Sequence, residues 1–233
     1  MKYFLFLVLF LSFFLVTGVS HGQVVSGPSI ALPPSEVILN MCKQMGVEAV
    51  DGEYVFSKRA EFMNRTGKAF VIDARPARNY DDGFIPTAFN MFDARFKLIY
   101  PEFEKLNLAK DTEIFLGIGR PCPMSLSDIK QLKEKGFTNL KAFVKGPLFF
   151  EKYFSEVTAK GAKKHVSNGA VAINLHEDAD LSKFFSTNTG KDNVIVLVGP
   201  ADNAKANYAM ADKVYNAGYK NTAVFNGRIE DIK

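Results

Sequence analysis

The sequence predicts an α/β fold: a central parallel sheet flanked by helices on both faces, followed by a second, truncated copy of the same unit. Three observations carry this expectation. Short apolar runs alternate with stretches of helical period, the order produced when each parallel strand is followed by a crossover helix. A strand, loop and helix pattern also occurs twice. The first copy reads Ile114-Phe115-Leu116-Gly117, a loop holding Arg120, Pro121, Cys122 and Pro123, then Ser125 to Lys135 closed by Gly136-Phe137. The second reads Val196-Leu197-Val198-Gly199, a loop from Pro200 to Lys205, then Ala206 to Ala217 closed by Gly218-Tyr219. Finally, flanking landmarks repeat at matching distances. Ala88-Phe89-Asn90-Met91 resembles Ala172-Ile173-Asn174-Leu175, and the asparagine lies 46 residues before the closing glycine in the first copy and 44 in the second. Spacing held through several landmarks implies two units of one architecture.

Taken in order, residues 1–22 have the charged start at Lys2, the apolar run Tyr3 to Val16 and the small-residue exit of a secretory signal, cleaved after Ser20 or Gly22. That run is shorter than the roughly 20 residues of a spanning helix, so the expectation is an exported chain, periplasmic if bacterial and otherwise secreted, with no stable membrane insertion after cleavage. Residues 23–50 read as a linker and a short helix, the helix running from a Ser35 cap to Met45 and ending at Gly46. The first unit is placed at residues 51–157. It opens with a short helix capped by Ser57, with Phe62 and Met63 inward. Ala69 to Ile72 follows as a buried parallel strand with a charged end at Asp73.

Phe89 to Phe92, Ile114 to Leu116 and Leu140 to Val144 are the further strand candidates. The helix after Cys122 turns Ile129 and Leu132 toward the sheet and Lys130, Lys133 and Glu134 toward water, and its counterpart does the same with Ala209, Met210, Val214 and Ala217. Thr158 to Lys164 is the expected boundary, with Lys163-Lys164-His165 as solvated surface, and residues 158–233 form the second unit. No strand ending in Asp-x-Arg precedes Asn174, hence the expected truncation.

Composition narrows the function. The chain has 233 residues, 47% of them apolar, and a formal net charge of +4, about +3 once Lys2 leaves with the signal. That is too little charge to predict a nucleic-acid partner. Two cysteines, Cys42 and Cys122, could form one disulfide in an oxidising compartment, or Cys42 is a small buried residue on the face of Ile38, Met41 and Met45. Asn64-Arg65-Thr66 fits a glycosylation acceptor if the source is eukaryotic.

Val71-Ile72-Asp73-Ala74-Arg75-Pro76, Tyr80 and Gly83-Phe84-Ile85-Pro86-Thr87-Ala88-Phe89-Asn90 together resemble the opening signature of rhodanese-like domains. The loop at Gly117 to Ser125, Gly136-Phe137 and Gly146 fall where that family keeps its later landmarks. The resemblance covers residues 53 to 154 and, more weakly, 165 to 233. It implies sulfur transfer through a cysteine persulfide, with no cofactor and no metal. Partners would be a small sulfur-containing anion or a protein thiol acceptor.

On this resemblance Cys122 is the candidate sulfur carrier, Arg120 its electrostatic support, and Gly117, Gly119, Met124 and Ser125 the loop cradle for the anion. Asp73 and Arg75 are expected to pair as a structural brace, and Phe84, where the family commonly has histidine, to be core. The loop departs from the family pattern. The family cysteine falls near Ile118 or Gly119 and its closing arginine near Met124, whereas Pro121 and Pro123 flank Cys122 and offer no N–H. The alternative is a catalytically inactive rhodanese-fold binding or scaffold module. The second loop, Gly199 to Asn207, holds no nucleophile, and its Asp202 would repel an anion. His176, with Glu177, Asp178 and Asp180, reads as a solvated acidic turn rather than a metal site.

Overall fold

Five short strands of the first half line up in parallel: β1 (Glu48–Val50), β2 (Ala69–Asp73), β3 (Phe89–Asn90), β4 (Glu113–Leu116) and β5 (Leu140–Phe143), in the spatial order β1-β5-β4-β2-β3. These assignments come from a computed structural model that describes residues 35–176, 181, 185 and 190–233. The signal segment therefore lies outside the described residues, as do Glu177, Asp178 and Asp180 of the acidic turn. A second parallel sheet has the order β6-β9-β8-β7, built from β6 (Ser155–Glu156), β7 (Val171–Asn174), β8 (Ile195–Gly199) and β9 (Thr222–Asn226).

Both sheets extend beyond the unit limits read from sequence. β1 pairs with β5 although it precedes residue 51, and β6 pairs with β9 although it precedes residue 158. A strand of two or three residues shows no periodicity, so neither could be seen in the sequence. β6 also gives the second unit a strand on the outer side of β9.

Helices cover the sheets. In the first half they are α1 (Ser35–Gln44), α2 (Gly52–Ser57), α3 (Arg59–Met63), α4 (Ala77–Asp81), α5 (Phe96–Glu104) and α6 (Pro123–Glu134). In the second half they are α7 (Ala159–Ser167) and α8 (Ala204–Asn216). Ser57 is not a cap. Asp51 accepts from the Tyr54 N–H at 2.9 Å and starts α2, while the Ser57 hydroxyl donates to the Tyr54 carbonyl inside that helix. The boundary segment is likewise helical, because Thr158 caps α7 through the Gly161 N–H.

Alternating strand residues feed different cores, as the two-residue period of a strand requires. Ile72, Ile114 and Leu116 pack with Ile38 and Cys42 of α1, Phe96 and Phe103 of α5, and Ile129 and Leu132 of α6. Val71, Phe115 and Phe143 face the other way, toward Val55, Phe62, Phe149 and Phe154. That second cluster continues into Ile195, Leu197 and Val224 of the second sheet and Tyr208, Val214 and Tyr215 of α8. One face of each sheet thus shares a common apolar core, and Val196, Val198 and Ala223 build a smaller core on the far side. On α8 the buried face is Asn207, Tyr208, Ala211, Val214 and Tyr215; Ala209 and Ala217 point to water. The two tyrosines claim the inner face because their rings fill the space between the sheets.

The halves are also joined by polar contacts. Phe84 and Glu156 exchange backbone hydrogen bonds of 2.8 and 2.9 Å, an antiparallel bridge between the units. The Glu156 carboxylate accepts from the Thr87 N–H at 2.9 Å, the Tyr208 hydroxyl at 2.7 Å and the Asn226 amide at 2.8 Å. Lys164 pairs with Asp82, and the His165 Nε2 meets the Asp82 carbonyl at 2.8 Å. The Lys163-Lys164-His165 cluster is therefore part of the seam as well as surface; its partners lie about 80 residues away in sequence. Gly161 of α7 sits so close to the Asp81 carbonyl that a Cβ there would overlap it.

Removing the Glu156 carboxylate leaves the Thr87 N–H and the Tyr208 hydroxyl proton without their acceptor at this seam, and the Asn226 amide with the Tyr208 oxygen in place of the carboxylate. Glu156→Ala is expected to lower stability by about 2–4 kcal/mol, read as a shift of the urea midpoint, whereas Glu230→Ala, at an exposed site, leaves the midpoint in place.

Candidate functional site

The carboxyl ends of β2 and β4 hold the residues that the sequence singled out. At the end of β2, Asp73 is fully buried and takes a forked contact from Arg75: Nε reaches its two oxygens at 2.9 and 3.0 Å, and a terminal nitrogen reaches Oδ2 at 2.6 Å. The same guanidinium donates to the Gly83 carbonyl, and the Asn90 amide donates to the carbonyls of Asp73 and Arg75. The Asp73 carboxylate and the Nε and one terminal nitrogen of Arg75 are engaged in holding the loops after β2 and β3, so the pair acts as a brace. Phe84 is buried and stacks on Tyr80 with ring centroids 3.9 Å apart.

After β4 the chain turns through Gly117 (φ +117°) and Gly119 (φ +96°). Both need glycine, because a Cβ on Gly117 would lie 2.5 Å from the Phe143 carbonyl oxygen and one on Gly119 2.8 Å from that of Pro147. The turn delivers Cys122 to the N-cap of α6, with Pro123 at the first helical position, where its missing N–H costs nothing. Cys122 is 9% exposed. Burial pushes its thiol above the ordinary value, and the Asp73 carboxylate adds to that; the N–H groups of Met124 and Ser125 and the Ser125 hydroxyl pull the other way without overcoming it. The sulfur does not cap the helix with a well-formed hydrogen bond. Two of the predicted cradle residues, Met124 and Ser125, thus stand at the sulfur, while Gly117 and Gly119 shape the turn.

Arg120 lines a cavity of about 220 Å³ at the seam between the halves, and Cys122 does not. Ile118 lines the same cavity. The groups that set the thiol's shift are its buried surroundings, the N–H groups of Ser125 and Met124, the Ser125 hydroxyl and the Asp73 carboxylate.

Among the described residues, two buried polar side chains on α6 lack a well-formed hydrogen bond: the Ser125 hydroxyl, which only the Cys122 thiol approaches, and both oxygens of Asp128. Asp128 is fully buried, and desolvation, helped by the nearby Asp93 carboxylate, pushes its acid up to about 8. The sequence reading missed it. The available signal was an acidic residue one helical turn before Leu132, on the face that enters the core.

The second loop shows what the first lacks. Asn207 is the counterpart of Ser125 when Gly117 is set on Gly199. Its buried amide crowds against Gly199 and donates to the Pro200 carbonyl at 2.9 Å and to Asn226 at 2.8 Å. The second cradle is filled by its own side chain. The first carries a short hydroxyl with nothing bound to it. Cys42 and Cys122 are both free thiols. Among the described residues, the His176 Nε2 meets the Gly227 carbonyl and its backbone N–H donates to the Asn174 side chain.

No protein-family model matches the chain, and no curated protein matches it. Among solved structures it resembles the rhodanese-like domain of the Alr3790 protein from Anabaena sp., at 20% identity over 42% of this chain and 67% of that one, with a TM-score of 0.30. It also resembles a thiosulfate sulfurtransferase from Pseudomonas aeruginosa, at 12% identity over 85% of this chain and 41% of that one, TM-score 0.31. A third is the 3-mercaptopyruvate sulfotransferase SseA from Escherichia coli, at 12% identity over 78% and 98%, TM-score 0.33.

Two measurements follow from the site. Between the usual carboxylate value of 3.8 and about 8, the folded chain keeps a proton on Asp128 that the unfolded chain has released, so stability falls as pH rises through that window. Native chain and Asp128→Asn should unfold alike below pH ~4, with the variant increasingly the more stable toward pH ~8; unfolding midpoints over a pH series test this. The raised Cys122 thiol should alkylate more slowly at neutral pH than a cysteine in an unstructured peptide, and Ser125→Ala should slow it further, as followed by the mass of the alkylated chain.

Proposed function

We propose that this chain is an exported rhodanese-like protein that holds sulfane sulfur as a persulfide on Cys122. The observation that supports this best is the set of groups around the sulfur: Met124 and Ser125 amides at the N-terminus of a 12-residue helix, and a buried Ser125 hydroxyl with no other partner. A persulfide adds one sulfur atom and a diffuse negative charge, and these donors suit such a charge. In the step itself the Cys122 thiolate attacks the outer sulfur of thiosulfate. The sulfur–sulfur bond of thiosulfate breaks, sulfite leaves with the bonding pair, and a new sulfur–sulfur bond joins the outer sulfur to Cys122. An acceptor thiolate then attacks that outer sulfur, leaving the Cys122 thiolate and a persulfide on the acceptor. Because burial holds the thiol protonated at neutral pH, loading from any sulfane donor is slow.

The burial of Cys122 also favours a second reading, a rhodanese-fold binding module without sulfur transfer. Intact-mass measurement separates the two. After incubation with thiosulfate or polysulfide the chain is expected to gain the mass of one sulfur, and Cys122→Ser to gain none. If neither donor adds mass to the native chain, the persulfide reading is lost.

A further inference from the structure

The seam cavity is a second candidate site, and its chemistry differs from that around Cys122. It is enclosed by both halves: Ile118, Arg120 and Phe150 come from the first, Val194 and Lys220 from the second, and Tyr153 from the connection between them. Its volume of about 220 Å³ is below the ~300 Å³ lower end of sites for drug-sized ligands, so it suits a fragment-sized molecule.

The uncommitted charge at its wall is net positive, Arg120 and Lys220 against Glu151. Among the described residues Arg120 has neither an ion-pair nor a hydrogen-bond partner, and Lys220 has no ion pair, resting 3.9 Å over the Tyr215 ring. Of the other charged groups that line it, Arg75 is taken by Asp73 and Asp82 by Lys164, which leaves the exposed Glu151. The remaining wall is apolar or aromatic. An inorganic dianion would use the cations and waste that wall, and a neutral apolar molecule would leave a half-buried guanidinium unanswered.

We infer that this cavity binds a small organic anion, a carboxylate or sulfonate on a short apolar body, its charged end drawn to Arg120 and Lys220 and its body lying against Ile118 and Phe150. The site is independent of sulfur on Cys122, which does not line it. It also makes the second half a functional part of the molecule, since Lys220 and Val194 complete the cavity.

Benzoate, its neutral isostere benzamide, and thiosulfate serve as probes, titrated into the full chain while the methyl resonances of Ile118, Leu148 and Val194 are followed. Benzoate is expected to saturate and to move those three methyls, with benzamide and thiosulfate weaker by about tenfold or more. Arg120→Gln and Lys220→Gln should each weaken benzoate by about tenfold, and Lys213→Gln, exposed on α8 and away from the cavity, should not. The inference is overturned if benzoate does not saturate, if benzamide or thiosulfate binds as well, if the shifts fall on other methyls, or if Arg120→Gln and Lys220→Gln bind like the native chain.

Discussion

The two-residue strand Ser155–Glu156 is the constraint on which the rest depends. On one side it extends the second sheet beside β9; on the other it exchanges backbone hydrogen bonds with Phe84 of the first unit. Its glutamate gathers donors from Thr87, Tyr208 and Asn226, one from the first unit and two from the second. Paired backbone and a saturated carboxylate at one point fix how the two sheets face each other. The apolar faces that then meet, Val71 and Phe115 from one sheet and Leu197 and Val224 from the other, form a single core. The seam cavity with Arg120 and Lys220 is a gap left where that junction opens toward solvent.

The same geometry separates two kinds of chemistry along one loop. Between Gly117 and Ser125 the chain first passes the seam, showing Ile118 and Arg120 to the cavity, and then turns into α6, where Cys122 meets the helix amides. Gly117 and Gly119 make this possible because each lies against a backbone carbonyl that tolerates no side chain. A cysteine at residue 118 would face the cavity. At residue 122 it faces the helix end and is held protonated by burial.

Much of this was legible in the sequence, and the parts that were not share a physical reason. The apolar strands, the duplicated strand, loop and helix, and the Asp73–Arg75 pair are local patterns, set by residues a few positions apart. The roles of Glu156, Lys164 and His165 depend on partners 52 to 83 residues distant, and no spacing rule reaches that far. Arg120 is read with the thiol because it is two residues away in sequence, and that local reading gives no sign that it also lines the seam cavity. Asp128 is hidden by its class: an acidic residue in an amphipathic helix is usually at the surface, and here the helix buries it. Asn207 was within reach, since the repeat already aligned the two loops and only the chemistry of the matching pair, hydroxyl against amide, remained to be compared.

The order of strands also has a bearing on how the chain is made. In each sheet the last strand in sequence lies inside rather than at an edge: β5 between β1 and β4, and β9 between β6 and β8. A ribosome releasing this chain therefore holds back the interior strand of each sheet until the others are out. The first sheet can close once residue 143 emerges, and Val55 and Phe62 then cover part of the face carrying Val71 and Phe115, but the rest of that face is covered only when residues up to 226 have followed and the second sheet has formed. For that interval the half-made protein carries an apolar surface that its own later half will cover, a natural place for a chaperone to bind and for premature association to begin.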